Sequence, residues 1–209
     1  MYLYMPGYLK KLDHSFYGRK NVVQIARELL GKILVTQFDG IRTSGRIVET
    51  EAYNGVVDRA SHAFGGRRTA RTEHIFGGPG TVYVYIVYGL HYLFNVVTNK
   101  KDTPHAILIR ALEPLEGADY MLKRVGKPKA DFTLTKGPGN LARAMGISKI
   151  HTGGNLFSEE IFIEDDGLRY KKDQIVITHR IGVDYAGTDA QLPYRFIVKG
   201  NPYVSAKKS

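Results

Sequence analysis

The stretch "GRIVETEAY", residues 45–53, sets two carboxylates two positions apart and an aromatic ring two positions further on. β-Branched Ile47, Val48 and Thr50 favour extended backbone. Strand alternation then predicts Ile47, Glu49, Glu51 and Tyr53 on one face. Arg110 interrupts the apolar stretch "AILIRAL", residues 106–112, where alternation gives it the same face as Leu108 and Leu112. A guanidinium in such a setting needs a partner, and a carboxylate is the best available. Glu49 and Glu51 are the candidates in the first part of the chain. A carboxylate held by an arginine stays ionised, which is the state a general base requires. The plain alternative for Glu51 is a solvated strand face or a structural ion pair. The company of Tyr53, His62 and Arg110 raises the catalytic reading.

The aromatic run "YVYIVYGLHY", residues 83–92, offers a second feature. Tyr83 and Tyr85 share a strand face, a pattern more often of packing than of ligand binding. Tyr88 falls at the expected tip of a hairpin beside Gly89, with little core to bury itself in. On a basic protein such a ring could be a wedge between base pairs, although many exposed tyrosines have no role. Asn95 is polar in an apolar strand, so it bonds neighbouring backbone or lines a pocket. His62 has no cysteine and no second histidine at i+3 or i+4, so no metal site is expected. The glycine-rich stretches "FGGRRTAR", "FGGPGT" and "TKGPGN" match neither a dinucleotide fingerprint nor a phosphate-binding loop. No cofactor is expected. These stretches are turns, or they set basic residues against phosphates.

The elements that must position these groups are legible as follows. "NVVQIARELLG" reads as an amphipathic helix capped by Asn21 and stopped at Gly31. Asp39-Gly40 turns the hairpin of residues 32–53. A long polar loop leads to a second hairpin turning near Tyr88-Gly89, and the Arg110 strand follows. "EGADYMLKRVG" and "PGNLARAMG" read as helices, and "EEIFIEDDG", "DQIVITHRIGV" and "PYRFIVKG" as strands. Strands outnumber helices and arrive mostly as hairpins. An α+β fold is predicted, one domain over 1–209 with a largely antiparallel sheet and helices packed around it. A short arm is expected at about 1–14 and a basic tail at about 205–209.

Composition sets outer bounds. The chain has 209 residues, 43% hydrophobic and 24% charged, as in ordinary core-forming proteins. No apolar run reaches bilayer length, no secretory pattern opens the chain, and there is no cysteine. An intracellular protein without membrane partners is the default. The net charge of +10 predicts attraction to a polyanion, most commonly nucleic acid. The basic residues are spread along the chain, which suits a folded binding face better than a disordered arm.

These stretches together resemble the 3-methyladenine (alkyladenine) DNA glycosylase family. "GRIVETEAY", a histidine nine residues after that tyrosine, "GGRRTAR", "PGTVYVYIVYG", "HYLFNVV", "IRALEPLEG", "KGPGNLARAMGI", "RIGVDYAG" and "YRFIVKGNPYVS" occur in the family's order. The resemblance runs from about residue 15 nearly to the end. It implies a monofunctional enzyme that rotates alkylated or deaminated purines out of duplex DNA. The enzyme would hydrolyse the glycosidic bond and leave an abasic site. Glu51 would deprotonate the water, held also by Arg110 and a main-chain carbonyl, that of Val183. Tyr53, His62 and Tyr85 would stack around the base, and Asn95 would help exclude a guanine-type amine. Tyr88 would fill the gap in the helix, with Leu90, Arg67, Thr69 and Arg71 on the DNA. The implied partner is double-stranded DNA containing damaged purines, with the protein acting as a monomer. Glu49 has no family role, so Glu49→Gln is expected to matter far less than Glu51→Gln. "TAR" replaces a frequent Thr-Pro-Arg and Leu93 a frequent cysteine, neither within the catalytic set. A non-catalytic DNA- or RNA-binding module would keep the charge and the tip tyrosine, with no reason for a buried Arg110 opposite Glu51. A glycosidase of free nucleosides would keep the carboxylate without wedge or basic face.

Overall fold

The computed structural model describes residues 9–205. Nine strands form one antiparallel sheet: β1 (Lys10–Lys11), β2 (Ile33–Phe38), β3 (Ile41–Tyr53), β4 (Val82–Val87), β5 (His91–Thr98), β6 (His105–Glu116), β7 (Ile161–Asp165), β8 (Ile175–Thr178) and β9 (Arg195–Val198). The helices are α1 (His14–Tyr17), α2 (Val22–Glu28), α3 (Ala118–Val125) and α4 (Pro138–Ala144). The sheet runs β1-β7-β2-β3-β6-β5-β4, with β9 on β3 and β8 on β9. This is the single-domain, mostly antiparallel α+β arrangement expected. Among the described residues no helix is long and apolar enough to cross a membrane. Most of the arm and tail expected at 1–14 and 205–209 lies outside the described residues. Within the arm, Lys10 and Lys11 pair with Asp165 and Glu164.

Two local signals act at the expected positions, whereas α2 ends at Glu28 with Leu29 as its C-cap, two residues before Gly31. The Asn21 side chain accepts from the Gln24 N–H and caps α2. Asp39 and Gly40 both take positive φ, as a tight turn twisted to match its strands requires. Inward residues of α2 and α4 (Ile25, Ala26, Leu141, Ala142) pack with Ile47, Val84, Phe94, Ile107 and Ile109 in the main core.

β3 is the frame of the molecule. Residues 41–46 pair with β2, whereas Glu49–Glu51 pair with β9 on that side and with β6 on the other. The ladder between β3 and β6 shifts register between Ile47 and Glu49 and again between Glu49 and Thr50. Arg110 is the residue skipped, since Glu49 faces Ala111 and Thr50 faces Ile109. This corrects the simple alternation. Leu108 and Arg110 line a cavity together, but Leu112 joins the main core with Ile107 and Ile109. A bulge offsets side-chain direction by one position, and no composition rule locates it.

Candidate active site

Even-numbered Val82 and Val84 face the main core, so odd-numbered Tyr83 and Tyr85 face the other side of the sheet. There a cavity of about 220 Å³ opens, floored by β3–β6 and walled by the loop after β3 and by Ile181–Tyr185. Its lining brings together Tyr53, His62, Tyr85, Asn95, Arg110 and Val183, six of the residues singled out in the sequence.

Glu51 is fully buried, at 0% exposure, and lies behind the cavity wall. Its Oε1 accepts from the Ile181 N–H (2.8 Å), and its Oε2 accepts from the Tyr53 hydroxyl (2.9 Å). An Arg110 terminal nitrogen stands 3.3 Å from the same Oε2. Three donors and no acceptor meet it, a set suited to a carboxylate anion. Burial, then Glu51 and Tyr85, push the Tyr53 hydroxyl well above its ordinary pKa, so it remains a donor. Burial opposes the charge on Arg110, but Glu51 and Glu49 outweigh it and hold the guanidinium protonated.

Glu49 is the centre of a buried charge cluster. Oε1 accepts from Arg110 Nε (2.7 Å) and Arg195 Nε (2.8 Å), and Oε2 from the Ser205 N–H (2.7 Å) and hydroxyl (2.6 Å). Burial would raise its pKa, but the two arginines and Ser205 prevail and hold it low. The structure therefore changes what a substitution here would do. Glu49 shares Arg110 with Glu51, so it cannot act as a neutral control for Glu51.

Three of the aromatic walls, His62, Tyr83 and Tyr85, are joined by one hydrogen bond and by ring contacts. His62 Nδ1 lies 3.0 Å from the Tyr83 hydroxyl, and its ring meets Tyr85 edge-on at 4.6 Å. Burial, followed by Arg71 and Arg67, lowers the His62 pKa to about 4, so the ring is neutral near pH 7. Tyr83, read in the sequence as packing, lines the cavity and stacks on Tyr85 (5.4 Å). Asn95 gives both amide hydrogens away, to the carbonyls of Tyr83 (3.2 Å) and Leu93 (3.1 Å). That fixes its amide plane and leaves Oδ1 as its remaining polar atom. The Val183 carbonyl accepts from the Ala186 N–H (2.9 Å) and keeps a second lone pair.

Tyr88 stands at the hairpin tip, 90% exposed, at the cavity mouth; Leu90 beside it is 78% exposed. Tyr88 has φ +53°, an uncommon and strained conformation for a bulky residue. The hairpin rests on "TKGPGN": a Cβ on Gly139 would come within 2.9 Å of the His91 ring. Next to the cavity, Arg67, Thr69 and Arg71 line a depression with Arg59 and Tyr185. Among the described residues Arg68 is paired with Glu73 and Asp102, whereas Arg67 and Arg71 form no ion pair.

One clamp escaped the sequence reading. Arg180 and Asp58, both buried, form a bidentate pair (2.5 and 2.9 Å), and Arg180 also donates to the Ala52 carbonyl (3.0 Å). It ties the two wall segments together and sets Ile181, the donor to Glu51. Arg180 lies 122 residues from Asp58, so only tertiary structure reveals the pair.

With this geometry in place, comparison with known proteins is specific. The Methylpurine-DNA glycosylase family matches residues 15–202. A protein of Desulfitobacterium hafniense (strain Y51) is 43% identical over 206 residues, covering 95% of this chain and 100% of the relative. One of Clostridium perfringens (strain 13 / Type A) is 45% identical over 205 residues, covering 94% and 100%. One of Alkaliphilus oremlandii (strain OhILAs) is 45% identical over 204 residues, again covering 94% and 100%. All three are named, provisionally in each case, 3-methyladenine DNA glycosylase.

Proposed function

The chain belongs to the methylpurine-DNA glycosylase family, and we propose that it rotates alkylated or deaminated purines out of duplex DNA and hydrolyses their glycosidic bond with a water activated by Glu51. As a DNA glycosylase of the 3-methyladenine type it is a DNA-repair N-glycosyl hydrolase, and its partner is DNA. The observation that carries the finer reading is the buried Glu51, ringed by donors, directly behind an aromatic cavity. A base within the stack is out of reach of such a recess, so it must leave the helix first.

The chemistry follows from these groups. Alkylation at N3 or N7 makes a purine cationic, a good leaving group. Electron-rich rings of Tyr53 and Tyr85 favour a cation by roughly 0.5–2 kcal/mol. A neutral His62 adds no repulsive charge. As the bond breaks, its electron pair departs with the base and the sugar becomes oxocarbenium-like. Water adds to that carbon and yields its proton to Glu51, with Arg110 and the Val183 carbonyl orienting it. No lysine nucleophile is involved, so the abasic strand stays intact. Asn95 excludes a guanine-type amine by its fixed bulk, since its free oxygen would otherwise accept from that amine. The same pocket suits 3-methyladenine, hypoxanthine and ethenoadenine as candidate substrates. Arg67, Thr69, Arg71 and Leu90 contact the DNA strand, and one chain holds the whole site, so a monomer acts.

The test is a duplex carrying one lesion, incubated with the protein and then treated with alkali. Breaks that appear only after alkali support the reading. Tight binding without abasic sites would mean a binding module instead.

Tyr88 gives a second measurement. Its ring is almost fully exposed, so Tyr88→Ala should move the melting temperature by less than about 2 °C. Excision from a fully paired duplex should fall about tenfold or more, because unstacking costs a few kcal/mol. On a lesion opposite a mismatch the loss should shrink, since that base is already easier to extrude. Equal losses on both substrates would place Tyr88 in the base pocket rather than in the helix.

A further inference from the structure

The charge cluster behind the cavity ends in a residue that the reaction above does not use. We propose that Ser205 is a positioning residue for excision, acting through Glu49 and Arg110 on Glu51. This rests on the reading of Glu51 as the base.

Ser205 gives Glu49 Oε2 two donors, its N–H at 2.7 Å and its hydroxyl at 2.6 Å. Arg195 closes the ring, with Nε on Glu49 Oε1 at 2.8 Å and a terminal nitrogen on the Ser205 carbonyl at 2.5 Å. Arg195 is itself paired across the sheet with Glu51, as β9 lies against β3. Two carboxylates and two guanidiniums thus share one region, each residue 6% exposed or less. Inside it Arg110 is divided, with Nε on Glu49 at 2.7 Å and a terminal nitrogen at 3.3 Å from Glu51.

The shorter contact shows where Arg110 is drawn. How strongly Glu49 draws it depends on what else satisfies Glu49. Buried charge left short of donors binds those that remain more tightly. The Ser205 pair meets Oε2 and leaves Arg110 able to reach toward Glu51. Loss of the hydroxyl lets Glu49 take more of Arg110. Glu51 then keeps the Tyr53 hydroxyl, the Ile181 N–H and the more distant Arg180 guanidinium but loses part of Arg110. A carboxylate with less positive charge beside it takes up a proton more readily. It is then a poorer base on the acid side of the pH profile.

The experiment measures single-turnover excision against pH, affinity for a duplex holding an uncleavable lesion analogue, and melting temperature. Ser205→Ala should slow excision about tenfold and move the acid limb to higher pH, with duplex affinity within about twofold of wild type. Ser205→Thr and Ser205→Val are matched in shape and differ in the hydroxyl. The threonine should excise faster than the valine, which guards against a variant that merely folds poorly. Excision by Ser205→Ala within about twofold of wild type overturns the inference. So does a slower rate with an unmoved acid limb, or equal rates for the threonine and valine proteins. Glu51→Gln is assayed alongside. If that protein is inert and Ser205→Ala is unchanged, the inference alone fails. If Glu51→Gln excises normally, the base assignment fails and the inference with it.

Discussion

Glu51→Gln protein should bind a lesion-bearing duplex as wild type does and excise at least about 10²-fold more slowly. The substitution keeps the size of the side chain and removes its capacity to take a proton from water. Its amide must turn one N–H toward the Ile181 N–H or toward Tyr53 and Arg110, so some loss of stability accompanies it. The melting temperature is therefore read separately, and the rate is taken under single-turnover conditions with alkali to reveal abasic sites. Near wild-type excision by this variant would show that Glu51 is not the base.

Removing Glu49 should damage the protein differently. Glu49→Ala leaves Arg110 and Arg195 buried, 6% and 3% exposed, without their shared acceptor. Stranding buried charge costs about 3–5 kcal/mol, roughly a 6–20 °C fall in melting temperature for a chain of this size. The pair of variants has a signature: Glu51→Gln is inert with a small loss of stability, and Glu49→Ala is strongly destabilised. A melting temperature for Glu49→Ala within about 2 °C of wild type would contradict this account of the cluster.

Asn21, Asp39-Gly40 and Tyr88-Gly89 announced a cap and two turns because those signals act over a few residues. The company of Tyr53 and Arg110 at Glu51 was legible because Tyr53 follows two positions along the same strand and a buried arginine needs an acid. The bulge at Arg110 was not, since register is decided by packing on both faces. Glu49 kept a bland structural reading because its partners Arg195 and Ser205 lie 146 and 156 residues away. Tyr83 packs with Ile75, Val97 and Ala106, as its strand face suggests, but periodicity does not say that the same ring also lines the cavity. The Arg180–Asp58 clamp had no local signature at all.

The exchange of neighbours along β3, from β2 to β9, has a mechanical meaning. Glu49–Glu51 are gripped by strands on both sides, so the carboxylate proposed to react sits in a fully paired, buried part of the sheet. Everything assigned to the DNA sits elsewhere: the Tyr88 hairpin tip and the arginine loop after β3. On the proposed reading the protein works like a vice with one fixed jaw. The outer parts can yield as they press along an irregular duplex, while the jaw that meets the sugar keeps its place. A base that enters is thereby gauged against a reference that its own arrival does not deform.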